Sequence, residues 1–115
     1  MRRGQEGEQL ASRYLSNRGF TIIERNYRQK CGEIDIISVK GERIVFVEVK
    51  AWQRYSIAEL GVSINREKQR RIVAASLLFL ASHPEYATFQ PQYDVMFVKS
   101  ERVKHLENAF TGNGA

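Results

Sequence analysis

The stretch GEIDIISVKGERIVFVEVK, residues 32–50, decides the fold of this chain. Two runs rich in β-branched residues, Ile34–Val39 and Ile44–Val49, flank a short polar segment that contains Gly41. β-Branched residues favour strands, and glycine supplies the positive φ that a tight hairpin turn needs. The pattern therefore predicts a β-hairpin. Unusually for a hairpin, its apolar runs also contain an acid and base set: Asp35, Glu48 and Lys50.

The length of the hairpin loop decides whether the two acids meet. Side chains alternate between the two faces of a strand. A loop of two residues, 41–42, or of four, 40–43, places Asp35 opposite Glu48, whereas a three-residue loop separates them unless a bulge intervenes. Adjacent carboxylates need a proton or a cation to neutralise them, and Mg²⁺ binds through one or two carboxylates. The even register therefore predicts a site suited to a hard divalent metal ion.

A helix is predicted from about Gln5 to Asn17, with Gly19 as its stop, because apolar residues recur along one face. Glu8 lies at the edge of this apolar stripe. One interpretation is a solvated first-turn glutamate that the helix dipole favours. The other is a third carboxylate directed at the hairpin site, and the sequence leaves both open.

Between this helix and the hairpin, a short strand is predicted at Phe20–Ile23, followed by a basic segment, residues 24–30. Its Tyr27 and Arg28 have two interpretations. Beside an acidic metal site they would stack on a base and contact the phosphate backbone. In a solvated edge strand, the charged residues would instead protect against aggregation.

The second half of the chain predicts a loop after Lys50, in which Trp52 either covers the core or stacks on a base. A second helix is expected from the N-cap Asn65 to about Ser82. Its first turns are basic and include Lys68 and Arg70. Its later turns are apolar over more than one stripe, which indicates either deep burial or a subunit interface.

A further strand is predicted at Gln92–Val98, with Asp94 as a salt-bridge partner without a catalytic role. Residues 101–110 would add a short strand or a turn, and residues from about 111 to 115 would form a disordered tail. The order of elements predicts an α/β fold with a mixed sheet.

Composition sets the outer limits. The chain has 115 residues, which indicates one domain over 1–115. Its net charge of +5 and pI near 9.6 favour a polyanionic partner. The single Cys31 excludes an internal disulfide and a cysteine-rich zinc site. No signal-peptide pattern and no segment of transmembrane length is found, so a cytoplasmic location without membrane contact is expected.

The spacing of Asp35 and Glu48-Val49-Lys50 resembles the PD-(D/E)xK nuclease motif. More specifically, the chain resembles the YraN-like family of small bacterial proteins, which is similar to archaeal Holliday-junction resolvases. The matching pieces span nearly the whole chain: Gly4 with Gly7-Glu8, Arg25-Asn26-Tyr27-Arg28, Gly32-Glu33-Ile34-Asp35, Phe46-Val47-Glu48-Val49-Lys50, Lys68-Gln69-Arg70, Tyr93-Asp94-Val95 and Asn108-Ala109-Phe110.

This resemblance implies a restriction-endonuclease-like fold, with a central mixed sheet flanked by helices, and a metal-dependent endonuclease acting on DNA. Branched or recombination intermediates would be the substrates, and a junction substrate would favour a homodimer. Asp35 and Glu48, with Glu8 as a third ligand, would bind Mg²⁺ or Mn²⁺. Lys50 would orient the attacking water or neutralise the transition state. The expected contacts to the nucleic-acid backbone are Tyr27, Arg28, Lys68 and Arg70.

Two interpretations from other functional classes stay open. One is a nucleic-acid-binding or scaffold protein that keeps the nuclease fold without useful turnover. The other is a protein-interaction module that docks through the wide apolar helix. The role of Glu33 is also open, since it would either assist the site or pair with Lys50 or a nearby arginine.

Overall fold

The structure, a computed structural model, describes residues 3–51 and 64–112, with side chains from Glu6 onward within those ranges. Trp52, most of the predicted loop around it and the end of the predicted tail lie outside the described residues. In chain order the elements are α1 (Arg3–Asn17), β1 (Thr21–Gln29), β2 (Gly32–Lys40), β3 (Arg43–Ala51), α2 (Arg66–Ser82), a 3₁₀ turn (Pro84–Tyr86), β4 (Gln90–Lys99) and β5 (Arg102–Phe110).

The strands form one five-stranded sheet in the order β1-β2-β3-β4-β5. Neighbouring strands are antiparallel except β3 and β4, which are parallel and whose connection contains α2. The predicted α/β class with a mixed sheet is confirmed. Three strands are clearly longer than predicted. β1 does not end at Ile23 but continues to Gln29 in the basic segment, β4 spans Gln90–Lys99 instead of Gln92–Val98, and residues 102–110 form a full strand of nine residues.

The two described helices cover opposite faces of this sheet. Along β3, Val45 and Val47 belong to the cluster that contains α1, while Ile44 and Phe46 belong to the cluster that contains α2. α1 contributes Ala11 and Leu15, as the predicted apolar stripe requires. The helical residues that α2 buries are Ile72, Ala75, Ser76 and Phe79.

α2 is not buried on all sides. Leu77 and Leu78 are 59% and 46% exposed, so deep burial does not account for the breadth of its apolar surface. The subunit interface remains a prediction. Within the described residues, no helix is long and apolar enough to cross a membrane.

The hairpin has the predicted even loop. Lys40 pairs with Arg43, which leaves the two loop residues Gly41 and Glu42, and Gly41 has a φ of 61°. The antiparallel register runs from this pair to Ile36 opposite Val47. Because one more step along both strands leads to Asp35 and Glu48, the register brings the two acids together.

Candidate active site

Asp35 lies where the β2–β3 ladder stops. Regular pairing ends at Ile36 and Val47, and beyond it the backbone N–H of Val49 donates to Asp35 Oδ2 at 2.7 Å. The side chain of Asp35 thus takes the place of a backbone acceptor at the point where the two strands separate. This bond fixes the carboxyl group between the strands, beside Glu48.

Strand β2 changes its packing at the same point. Ile34 and Ile37 both belong to the cluster on the α2 side, whereas Ile36 belongs to the cluster on the α1 side. Residues three apart would lie on opposite faces of a regular strand. The irregularity falls at Asp35, so its side chain can be approached from both helical layers.

The carboxyl groups of Asp35 and Glu48 are within hydrogen-bonding reach of each other. Burial, and next the negative charge of Glu48, raise the pKa of Asp35 to about 7, against the opposing effects of the Val49 N–H and the Lys68 charge. Below that pH the protonated Asp35 donates to the Glu48 carboxylate. Glu48 is only 5% exposed, so this carboxylate needs a counter-charge from the protein or a ligand.

Lys68 of α2 supplies that counter-charge. Its Nζ lies 2.7 Å from Glu48 Oε2. The Asn65 side chain accepts a hydrogen bond from the Lys68 backbone N–H at 2.8 Å, which caps α2 as predicted and fixes its first turn. Burial alone would lower the pKa of Lys68, but the hydrogen bond to Glu48 and the charges of Glu48 and Asp35 raise it. The lysine is therefore held as an ammonium.

A close approach between backbones positions this helix over the hairpin. A Cβ at Gly32 would lie 2.5 Å from the carbonyl oxygen of Arg71, closer than real Cβ contacts. Only glycine permits β2 to start so close to α2. Arg71 stands three residues after Lys68, so this contact sets the height of Lys68 above Glu48.

Glu8 approaches from the opposite layer. It pairs with Arg25 of β1 at 3.7 Å, and its side chain is 12% exposed. Burial, and next the charge of Asp35, raise the pKa of Glu8, against a hydrogen bond from Asn26 and the charge of Arg25. Asn26 stands opposite Asp35, between the pairs that β1 makes with β2. Within the described residues Glu8 Oε1 accepts no hydrogen bond.

Among the described residues, no three carboxylate, imidazole or thiolate side chains come together as a ready metal-binding group. Asp35, which is partly buried, and Glu48, which is buried, do come together and offer hard oxygen ligands of the kind that Mg²⁺ takes. The Lys68 ammonium already occupies a cation position on Glu48. A divalent metal ion at this pair and Glu8 as its third ligand both stay predictions.

Lys50 lies two residues beyond Glu48, hence on the same face of β3, and it is partly exposed next to Phe97 of β4. Glu33 pairs with Arg28 at 3.8 Å, and both side chains are exposed. This ion pair matches one of the alternatives left open for Glu33, pairing with a nearby arginine.

Apart from Lys68, the residues expected to contact the nucleic-acid backbone contact neither Asp35 nor Glu48 in the interactions described. Tyr27 packs its ring edge-on against Phe79 of the core, with ring centroids 5.3 Å apart. Arg70 forms an exposed ion pair with Glu67 at 2.7 Å. Arg28 and Arg70 thus present guanidinium groups to solvent, whereas Lys68 contacts an acid of the site itself. Their contacts with nucleic acid stay predictions.

The contact of Lys68 with Glu48 was not predicted from the sequence. A signal for it was present, because Lys68 precedes the buried Ile72 by four residues and therefore shares its helix face. The contacts of Arg25 and Asn26 with Glu8 were also missed. Their only signal was an asparagine within a strand, which here adopts a φ of 57°.

Asp94 is a structural residue, as predicted. It is fully buried and accepts hydrogen bonds from Gln92, from the backbone N–H of Asn108 and from His105, the last at 2.7 Å. His105 in turn packs edge-on against Tyr14 of α1. The cluster ties β5 to β4 and to the α1 layer, and its acid is fully satisfied.

Comparison with known proteins gives a consistent family match. The family described as "Uncharacterised protein family UPF0102" matches residues 7–98. A UPF0102 protein of Treponema pallidum is 40% identical over 114 residues, covering 93% of this chain and 90% of its own. One from Mesorhizobium japonicum is 41% identical over 112 residues, covering 96% and 88%. One from Caldanaerobacter subterraneus is 35% identical over 114 residues, covering 93% of both chains.

Proposed function

Since the chain belongs to the uncharacterised protein family UPF0102, the YraN-like proteins whose motifs it carries, we propose its function from the site itself. It is a metal-dependent endonuclease that hydrolyses phosphodiester bonds in DNA, and its mixed sheet between helices is restriction-endonuclease-like. The observation that carries this proposal is the contact of the partly buried Asp35 with the buried Glu48 at the end of the hairpin ladder, with a lysine ammonium on one oxygen of Glu48.

A purely structural role explains this pair poorly. A buried and a partly buried carboxyl group in contact destabilise a fold unless a proton or cation joins them. The pKa of Asp35 rises to about 7 in the protein without metal because ionising it beside Glu48 is unfavourable. A binding surface for polyanions would also gain nothing from clustered acids. The arrangement is therefore best explained as a cation site that acts on a phosphate.

The proposed roles follow from the positions of the side chains. Asp35 and Glu48 would hold Mg²⁺ or Mn²⁺, which when bound would activate water and stabilise negative charge on the scissile phosphate. The Val49 N–H fixes the orientation of the Asp35 carboxyl group. Lys50, on the same face as Glu48, would hold its ammonium toward the phosphate or assist proton transfer. Glu8 would supply a further acceptor from the α1 side.

Charge supports nucleic acid as the substrate. The net charge is +5 although the site is acidic, so the rest of the chain carries an excess of positive charge. The side chains of Arg28 and Arg70 are 70% and 57% exposed. Their weak, solvent-exposed ion pairs can be exchanged for phosphate contacts at little cost.

The test is a cleavage assay on duplex, single-stranded and four-way-junction DNA, and on RNA, with Mg²⁺ or Mn²⁺. Wild-type protein is compared with Asp35→Asn and Glu48→Gln, and with Glu85→Gln as a matched control. Glu85 is an exposed acid in the 3₁₀ turn, so this control removes the same charge away from the site. Cleavage by the wild type and the control, but by neither site variant, is expected. Equal cleavage by all four proteins would refute the proposal.

Two observations favour a second candidate, a nucleic-acid-binding protein without turnover. Lys68 neutralises Glu48 without any metal, and the described residues offer no group of three metal-binding side chains. This candidate predicts salt-sensitive DNA binding that neither metal nor Asp35→Asn changes. Absence of cleavage together with such binding would decide in its favour.

A further inference from the structure

The contact between Lys68 and Glu48 is asymmetric in its exposure to solvent. The Glu48 side chain is 6% exposed, whereas that of Lys68 is 47% exposed, although their charged atoms lie 2.7 Å apart. The carboxylate is fixed in the sheet, and the ammonium reaches it on a flexible four-carbon chain from the first turn of α2. The half-exposed lysine can leave this contact into solvent by side-chain rotation, whereas the buried glutamate has solvent on almost none of its side chain.

We propose that Lys68 is an exchangeable counter-cation of Glu48, which a divalent metal ion displaces and which then becomes available to a phosphate group. The inference rests on the proposed function, because it presumes that Asp35 and Glu48 bind the metal. It assigns Lys68 a role different from that of the motif lysine Lys50. Lys68 would hold the site together before metal binds and would contact substrate afterwards.

The charges in the site support an exchange. Lys68 Nζ lies 2.7 Å from Glu48 Oε2, so this ammonium and a divalent ion bound by Glu48 would place two positive charges at the same carboxylate. The two cations would repel each other there, because a site that is largely closed to water screens charges less than bulk water does.

Local structure favours the same outcome. Lys68 lies in the first turn of α2, where the helix dipole already provides positive potential. The Asn65 cap and the close approach of Gly32 to Arg71 hold the helix in place, so rotation of the lysine side chain suffices for the exchange. The released ammonium would remain at the mouth of the site, where a phosphate bound to the metal must lie.

The alternative is that Lys68 stays on Glu48 and orients it as a metal ligand. The two roles predict opposite signs for one measurement. If Lys68 competes with the metal, removal of its charge strengthens metal binding. If Lys68 supports the metal ligand, its removal weakens binding.

The test is calorimetric titration of Mn²⁺ alone into wild type, Lys68→Met and Lys68→Gln, with Asp35→Asn to identify the site. The control is Lys40→Met, which removes the same charge five strand residues from Asp35, a distance of about 17 Å. We expect Kd to fall about tenfold in both Lys68 variants and to stay unchanged in the control. The second variant keeps a hydrogen-bond donor for Glu48, so the comparison survives if Lys68→Met does not fold.

The outcomes separate this inference from the proposed function. Binding that depends on Asp35 but is unchanged or weaker in both Lys68 variants would overturn the exchange and leave the metal site intact. Absence of Asp35-dependent Mn²⁺ binding in all proteins would overturn both. In wild type, Mg²⁺ should also shift the NMR signals of the Lys68 side chain to those of a solvent-exposed lysine, and unchanged signals at saturating Mg²⁺ would contradict the exchange.

Discussion

Replacing Asp35 by asparagine should stabilise the metal-free protein at alkaline pH, although it removes a residue of the proposed active site. Burial and the charge of Glu48 raise the pKa of Asp35 from 3.8 to about 7. A carboxyl group with a raised native pKa binds more protons in the folded than in the unfolded state. The free energy of unfolding therefore falls as pH rises from about 4 to about 7.

The size of this loss follows from the two pKa values. One pH unit per proton corresponds to about 1.4 kcal/mol, so the folded protein loses up to about 4 kcal/mol across this interval. An asparagine at position 35 can accept from the Val49 N–H and donate to Glu48, as the protonated aspartic acid does. The variant therefore does not lose stability as the pH rises. At pH 8 its free energy of unfolding should be higher than that of the wild type by up to about 4 kcal/mol, and its Tm by about 15 °C.

The assay is thermal and urea unfolding, followed by circular dichroism in EDTA at pH 8 and pH 4. At pH 4 the advantage of the variant should shrink to less than about 1 kcal/mol, because Asp35 is then protonated in the folded protein and pH 4 is close to its ordinary pKa of 3.8 in the unfolded chain. Acids that Asp35 does not influence affect both proteins equally and cancel in this difference. Glu8 does not cancel, because the charge of Asp35 raises its pKa in the wild type alone, and this adds to the expected difference in the same sense. Glu85→Gln serves as the control and should show no such pH-dependent difference.

Addition of saturating Mg²⁺ at pH 8 should make the wild type more stable than Asp35→Asn. A ligand that binds only the folded protein stabilises it by RT ln(1 + [L]/Kd), and this gain should be confined to the wild type. The reasoning is refuted if Asp35→Asn is less stable than wild type at pH 8 in EDTA. It is also refuted if the difference between them is the same at pH 4 and pH 8.

Three further substitutions test how the fold supports the site, each by urea unfolding against wild type. Gly32→Ala should destabilise by about 1–3 kcal/mol, because its Cβ would meet the Arg71 carbonyl; an unchanged midpoint would mean that α2 can move away freely. Gly41 has a φ of 61°, and a Cβ added there would meet no atom within 4 Å, so Gly41→Ala should lose only about 1 kcal/mol from backbone strain. A larger loss would show that the alanine side chain clashes in the turn. Asp94→Asn should lose about 3 kcal/mol, since it breaks the buried pair with His105, and wild-type stability would show that this pair contributes nothing.

The hairpin and its paired acids could be predicted from sequence because they depend on local rules. Once the loop has an even number of residues, side-chain alternation alone brings Asp35 opposite Glu48. The N-cap at Asn65 could also be predicted, because its side chain binds the backbone N–H of Lys68 only three residues away. Family motifs extended the prediction to Glu8, whose helix was correctly placed but whose partner Arg25 was not predicted.

What could not be predicted depends on contacts between distant segments. One register shift inserts a residue in β1 after Ile22, and another inserts residues in β5 between Leu106 and Phe110, and no local pattern marks either insertion. The height of α2 above the hairpin depends on the contact of Gly32 with Arg71, 39 positions apart in sequence. Lys68 could be assigned to the buried face of α2 by its spacing from Ile72, but not to Glu48.

The two acids of the site are held by local contacts, whereas the lysine that neutralises them comes from a distant segment, and this difference affects how the site can bind a cation. The two acids are fixed by one hairpin and by a backbone hydrogen bond, so their separation should change little with conditions. The ammonium that neutralises them comes from a different layer and is half exposed. A site with rigid carboxylates and a mobile lysine can exchange one cation for another without rearranging the sheet. In that case metal binding should leave backbone amide exchange in β2 and β3 almost unchanged while it alters the environment of the Lys68 side chain. A large change in the amide protection of the hairpin would show that the carboxylates are not held rigidly.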